Sequence, residues 1–91
     1  MSQDIKQGKR IYRYLVPVDD QWHDQDFDGE VLAVNCRRLD AVEFWAVEGG
    51  IVPRRFRVVG TGHPMPEDAR YVGTAITPDG SLVWHLVEAR T

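Results

Sequence analysis

The sequence predicts one small all-β domain, an antiparallel meander of six or seven strands closed as a barrel or as a two-layer sandwich. Three observations carry that reading. Apolar residues recur at every second position in segment after segment. Turn signals built from Asp, Gly and Pro separate those segments. And 91 residues leave room for a single core, because a chain this short buries only about 60% of the surface its unfolded form exposes. The domain is expected over residues 9–88, with a flexible N-terminal tail at 1–8 and a C-terminal tail at 89–91.

Residues 10–18 put Tyr12, Tyr14, Val16 and Val18 on one face and Ile11, Arg13 and Leu15 on the other, a strand with one strongly apolar side. Pro17 has no N–H for a ladder and confines the end of that strand to a sheet edge. Residues 21–27 alternate weakly, Trp22, Asp24 and Asp26 against His23, Gln25 and Phe27, as in a short exposed strand. Asp28-Gly29 then turns the chain, Gly tolerating positive φ and Asp bonding its own backbone. Residues 31–38 read as a strand with Leu32, Val34 and Cys36 opposed to Val31, Ala33 and Asn35. Leu39-Asp40 joins it as a hairpin to residues 41–47, where Val42, Phe44 and Ala46 alternate with Glu43, Trp45 and Val47. A helix is the rival reading of that segment, but Gly49-Gly50 would stop it after barely two turns.

Residues 52–59 alternate clearly, Val52, Arg54, Phe56 and Val58 against Pro53, Arg55, Arg57 and Val59, so Arg55 and Arg57 stand together on one face. Residues 60–69 hold glycines, prolines and acids and form a loop longer than the usual hairpin connection, the kind of segment that carries function. Residues 71–77 and 81–87 flank Thr77-Pro78-Asp79-Gly80, with Pro preset for the second turn position and Gly for the last. Tyr14, Leu32, Val34, Phe44, Phe56, Trp84 and Leu86 are the expected core.

A formal charge of −3 from 11 basic and 14 acidic residues is too small to signal a polyanion binder. Its distribution is bipolar. Six carboxylates and no Lys or Arg lie between Asp19 and Glu30, whereas Arg54, Arg55 and Arg57 cluster in one segment. These arginines are expected to answer the carboxylates within the chain or across a homodimer, and nucleic acid is a disfavoured partner. The single cysteine, Cys36, has no internal disulfide partner and fits a reducing cytoplasm. The polar N-terminus lacks a signal-peptide core, and no apolar run approaches the roughly 20 residues that span a bilayer, so a soluble protein without a membrane partner is expected.

Chemistry-bearing motifs are absent from the pattern. His23, His63 and His85 fall on different elements at spacings that suit no metal, and nothing suggests a cofactor. Cys36 with a histidine, or Ser81 with His85, lacks the strained elbow of a nucleophile, so the chain reads as no enzyme. Gly60-Thr61-Gly62-His63-Pro64 could offer backbone N–H groups to an anion, although it is not a phosphate loop and reads first as a tight turn. The candidate binding residues are therefore Arg55, Arg57, Gly60, Thr61, Gly62, His63 and His85.

Three runs, Phe56-Arg57-Val58-Val59-Gly60-Thr61-Gly62-His63-Pro64, Tyr71-Val72-Gly73-Thr74 and Val83-Trp84-His85-Leu86-Val87-Glu88, together with Arg10-Ile11-Tyr12-Arg13-Tyr14 and Phe44-Trp45, resemble a family of small uncharacterised proteins of tailed bacteriophages and prophages. Arg38-Leu39-Asp40 stands where that family has a more glycine-rich turn, and Phe44 where Leu is usual. The resemblance implies a phage-encoded accessory protein in the cytoplasm of a bacterial host and brings no catalytic residues. On this basis the expected function is a non-enzymatic binding module for a host protein. The alternatives are a small-molecule site that sequesters a nucleotide signal or hydrolyses a substrate, and a minor virion or assembly protein.

Overall fold

The computed structural model describes residues 8–90 and contains seven strands: β1 (Ile11–Pro17), β2 (His23–Asp26), β3 (Val31–Asn35), β4 (Ala41–Val47), β5 (Pro53–Gly60), β6 (Ala69–Ile76) and β7 (Val83–Ala89). They form two antiparallel sheets, β1-β4-β3 and β2-β5-β7-β6, packed as a sandwich and not closed into a barrel. No helix interrupts them, and among the described residues none is long and apolar enough to cross a membrane. The expected N-terminal tail lies outside the described residues except for Gly8. At the other end β7 runs to Ala89, and the Arg90 N–H bonds the Asp68 carbonyl at 2.7 Å.

Only β3–β4 and β6–β7 are hairpins, so the connections interleave the two sheets where a meander was expected. The pairings have side-chain reasons. Tyr12, Tyr14 and Val16 of β1 stand opposite Ala46, Phe44 and Val42 of β4, which joins two apolar faces. The acidic β2 lies beside β5, with Asp24 opposite Arg55. As the middle strand of its sheet, β4 is flanked by β1 and β3 and is buried or half-buried along its whole length, in keeping with the dense apolar run that made a helix worth weighing.

The core fills the space between the sheets. Val16, Phe27, Val42, Phe44, Phe56 and Leu86 are 1% exposed or less, and each such side chain contributes about 1.5–3 kcal/mol of burial. Tyr14, Phe27, Phe44 and Phe56 form an aromatic stack with ring centroids 4.8–5.8 Å apart. Of the expected core, Tyr14, Val34, Phe44, Phe56, Trp84 and Leu86 face inward, but Leu32 is 46% exposed. A β-bulge causes the difference: the β3–β4 register jumps from Val31↔Ala46 to Ala33↔Trp45, which sends Leu32 outward and lets both Val31 and Val34 point into the core. Facing β3, β6 carries a second bulge between Tyr71 and Gly73, and a Cβ on Gly73 would come within 2.5 Å of Val34 Cγ2.

The Asp28-Gly29 turn forms as expected but for a different reason. Gly29 is not among the positive-φ residues; a Cβ there would lie 1.6 Å from the Val47 carbonyl oxygen, so Gly is required by close backbone approach. In the Thr77-Pro78-Asp79-Gly80 turn, by contrast, Gly80 does take φ 76°, and its N–H bonds the Thr77 carbonyl at 2.8 Å.

Candidate functional site

Alternation along β5 and β7 divides their side chains cleanly. Phe56, Val58, Leu86 and Glu88 point between the sheets, while Arg55, Arg57, Val59, His85 and Val87 form the outer face of the four-stranded sheet. Two rows cross that face: Val59–His85–Thr74 and Arg57–Val87–Tyr71. Val59, Val87 and Ala69 are buried there as a small second cluster with Trp22 against it. This is the face on which the candidate residues meet.

The loop over residues 61–68 folds back over it. A turn launches the loop: the His63 N–H bonds the Gly60 carbonyl at 3.0 Å, with Gly62 at φ 91°. The Thr61 N–H meanwhile bonds the Val83 carbonyl at 3.3 Å. Both of these amides are therefore spent within the fold, and the glycine-rich segment forms a tight turn. At its far end the loop re-enters β6 through Asp68 at φ 57°.

Two cavities lie along the underside of this loop. One, of about 310 Å³, is lined by Asp20, Arg57, Val59, His63 and Met65 among others. The second, of about 240 Å³, lies against Val59, Thr61, His63, Tyr71, His85 and Val87. His63 borders both, so Arg57, Gly60, Thr61, Gly62, His63 and His85 converge. Arg55, on the same face, instead lines a neighbouring cleft of about 780 Å³ with Asp24, Asp26 and Arg54. Trp22 ties the two arginines together, its ring 5.5 Å from the Arg55 guanidinium and 6.0 Å from that of Arg57.

A hydrogen-bonded chain borders the smaller cavity. His85 Nε2 lies 2.7 Å from Thr61 Oγ1, His85 Nδ1 lies 2.9 Å from Thr74 Oγ1, and Thr74 Oγ1 lies 2.7 Å from the Tyr71 hydroxyl. One proton arrangement uses every donor once: Tyr71 donates to Thr74, Thr74 to Nδ1, Nε2–H to Thr61, and Thr61 to the Val83 carbonyl at 3.3 Å. Both ring nitrogens are thus engaged by hydroxyls. The other nucleophiles weighed from sequence are occupied too. Ser81 Oγ donates to Asp79 Oδ1 at 2.8 Å, and burial pushes the Cys36 thiol up, away from the reactive thiolate. Among the described residues no three His, Cys, Asp or Glu side chains gather as a metal site.

One feature of this end of the domain escaped sequence reasoning. Glu88, 5% exposed, accepts 2.6 and 2.9 Å hydrogen bonds from Arg54 and one of 3.1 Å from Arg70. The guanidinium of Arg54 also donates to the Gly29 carbonyl at 2.7 Å and covers the Phe27 ring at 4.2 Å. The signal was available: Arg54 shares the Phe56 face of β5 and Glu88 the Leu86 face of β7, and charged residues on inward faces need partners. On the far side of the sandwich Glu43, 3% exposed, is held similarly by Arg13 at 3.1 Å and by Arg37.

No curated protein and no solved structure matches this chain. Residues 7–91 match the family described as Domain of unknown function (DUF7352), a match over nearly the whole chain, and the protein belongs to that family.

Proposed function

We propose that this chain is a phage-encoded accessory protein, made in the cytoplasm of a bacterial host, that works as a non-enzymatic binding module for a host protein. Its binding surface is the outer face of the four-stranded sheet with the loop over residues 61–68. The observation that carries this reading is that Arg57, Gly60, Thr61, Gly62, His63 and His85 line two cavities that share His63, beside Arg55 and the 59% exposed Tyr71. Rigid strands position the charged and aromatic groups, and the loop adds a rim, the arrangement of a recognition face.

Catalysis is the weaker reading because the site lacks parts that acyl transfer needs. Thr61 Oγ1 stands near His85 as a nucleophile near a base, yet the neighbouring Thr61 and His63 amides point into the fold and supply no oxyanion donors. The test is a tagged pull-down from bacterial lysate with the parent chain and with Arg55→Ala/Arg57→Ala, read by mass spectrometry. One host protein retained by the parent and lost by a folded double variant supports the reading. Equal retention by both removes this face from it.

A further inference from the structure

We propose that the trough beneath the loop over residues 61–68 binds a single carboxylate carried on an apolar group. The site lies on the binding face proposed above and rests on that reading for its biological partner. Its charge logic begins with Arg57. This side chain is half-buried, and its Nε is withdrawn from solvent without a hydrogen-bond partner. The other half-buried arginine, Arg54, is matched by Glu88 at 2.6 Å, whereas no described carboxylate comes within ion-pair distance of Arg57. A guanidinium partly removed from water with an aromatic ring beside it but no carboxylate in contact is incompletely compensated, and an anion seated in the cavity it lines would offset that cost.

The remaining walls define what kind of anion fits. His63 offers an imidazole N–H at the boundary of the two cavities, while Asp20 places one carboxylate on the rim of the Arg57 cavity. That acid disfavours a doubly charged phosphate and leaves room for a monoanion. Past His63, Val59, Val87, Met65 and the Tyr71 ring make an apolar compartment of about 240 Å³ that ends on His85. A carboxylate at Arg57 with its apolar group lying toward Tyr71 satisfies both compartments. Such a group occurs in a free organic acid and at the C-terminus of a polypeptide.

The experiment is a 1H–15N NMR titration of the full chain with two acids, 3-phenylpropanoate and the N-acetylated tripeptide Gly-Gly-Phe with a free C-terminus, each beside its neutral amide. Both acids are expected to move the Val59, His63, Tyr71 and His85 signals, with the amides about tenfold weaker or more. Arg57→Gln should weaken the acids by a similar factor, and Arg38→Gln, an exposed charge in the connection between β3 and β4, should leave them unchanged. If Arg57→Gln does not fold, His63→Gln on the exposed loop replaces it. Tighter binding of the tripeptide assigns a polypeptide partner; equal binding assigns a free acid. Silence of these signals at roughly 10 mM acid, amides that bind as well as acids, or full affinity in the folded variant overturns the site. Host-protein capture that persists without acid binding would overturn this site alone and leave the binding module standing; acid binding without any capture would do the reverse.

Discussion

Glu88→Gln keeps the shape of a buried side chain and removes its charge. Glu88 has a side chain 6% exposed and Arg54 one 15% exposed, whereas Arg70 is 56% exposed and can turn its head into water. The magnitude is therefore set by Arg54, left against Phe27 and Phe56 with no counter-ion. Breaking a buried pair by removing one partner costs about 3–5 kcal/mol. A domain of this size has about 5–15 kcal/mol in total, so the variant should unfold at much lower urea and melt at least about 12 °C below the parent. Urea unfolding followed by the fluorescence of Trp22, Trp45 and Trp84 reads the change directly. Replacing both partners, Arg54→Met with Glu88→Leu, should recover most of the loss, because the cost lies in the stranded charge and not in the absent bond. The acid side gives an independent check. Burial pushes the Glu88 carboxyl up, but hydrogen bonds from Arg54 and Arg70 outweigh it and hold the group below its ordinary value. Its stabilisation is thus complete above the usual carboxylate range and is lost as pH falls through the depressed folded-state value, a loss Glu88→Gln should not show. A Glu88→Gln unfolding free energy within about 0.5 kcal/mol of the parent's would refute the argument.

Two further outcomes are expected. Phe27→Ala should cost about 3–5 kcal/mol and Leu32→Ala under about 1 kcal/mol, a contrast that urea midpoints measure and that reversed values would overturn. Asp79 accepts hydrogen bonds from the Ser81 N–H, the Thr77 hydroxyl and the Ser81 hydroxyl, which lower its carboxyl to about 2; its contribution is present above the ordinary Asp range and fades as pH falls toward that value. An NMR titration of its carboxyl carbon with a midpoint at the ordinary Asp value would contradict this, as would an Asp79→Asn variant with the parent's acid-side melting profile.

Strand content was legible because each strand advertises its buried face with a two-residue period. Tyr14, Phe44, Phe56 and Leu86 all sit where alternation puts them, and so does the pairing of Arg55 and Arg57 on one outer face. What alternation cannot show is an inserted residue. The bulge at Leu32 flips the parity of half a strand without any mark in the sequence, so Leu32 was read as core and Val31 as surface. Strand order was hidden for a different reason. Pairing β1 with β4 and β2 with β5 depends on which apolar faces and which charges complement one another across long connections, and hairpin signals speak only for neighbours in sequence.

The candidate site was legible to the extent that it lies on strands. Periodicity put Arg57 and His85 on outward positions, and strand register then made them next-door residues around Val59 and Val87. The loop contributed what sequence could not supply, because whether His63 reaches toward Arg57 or away from it depends on the Gly62 turn and on the return through Asp68. The same two arginines also show how one residue of offset decides a role. Arg54, inward, has Glu88 and becomes part of the fold's stability; Arg57, outward and half-buried, has an aromatic ring and a cavity in place of a carboxylate. Glu88 and Glu43 each take two arginines within the fold, whereas among the described residues no carboxylate pairs with Arg57, and that difference is why the proposed anion site is built on Arg57 and not on Arg54.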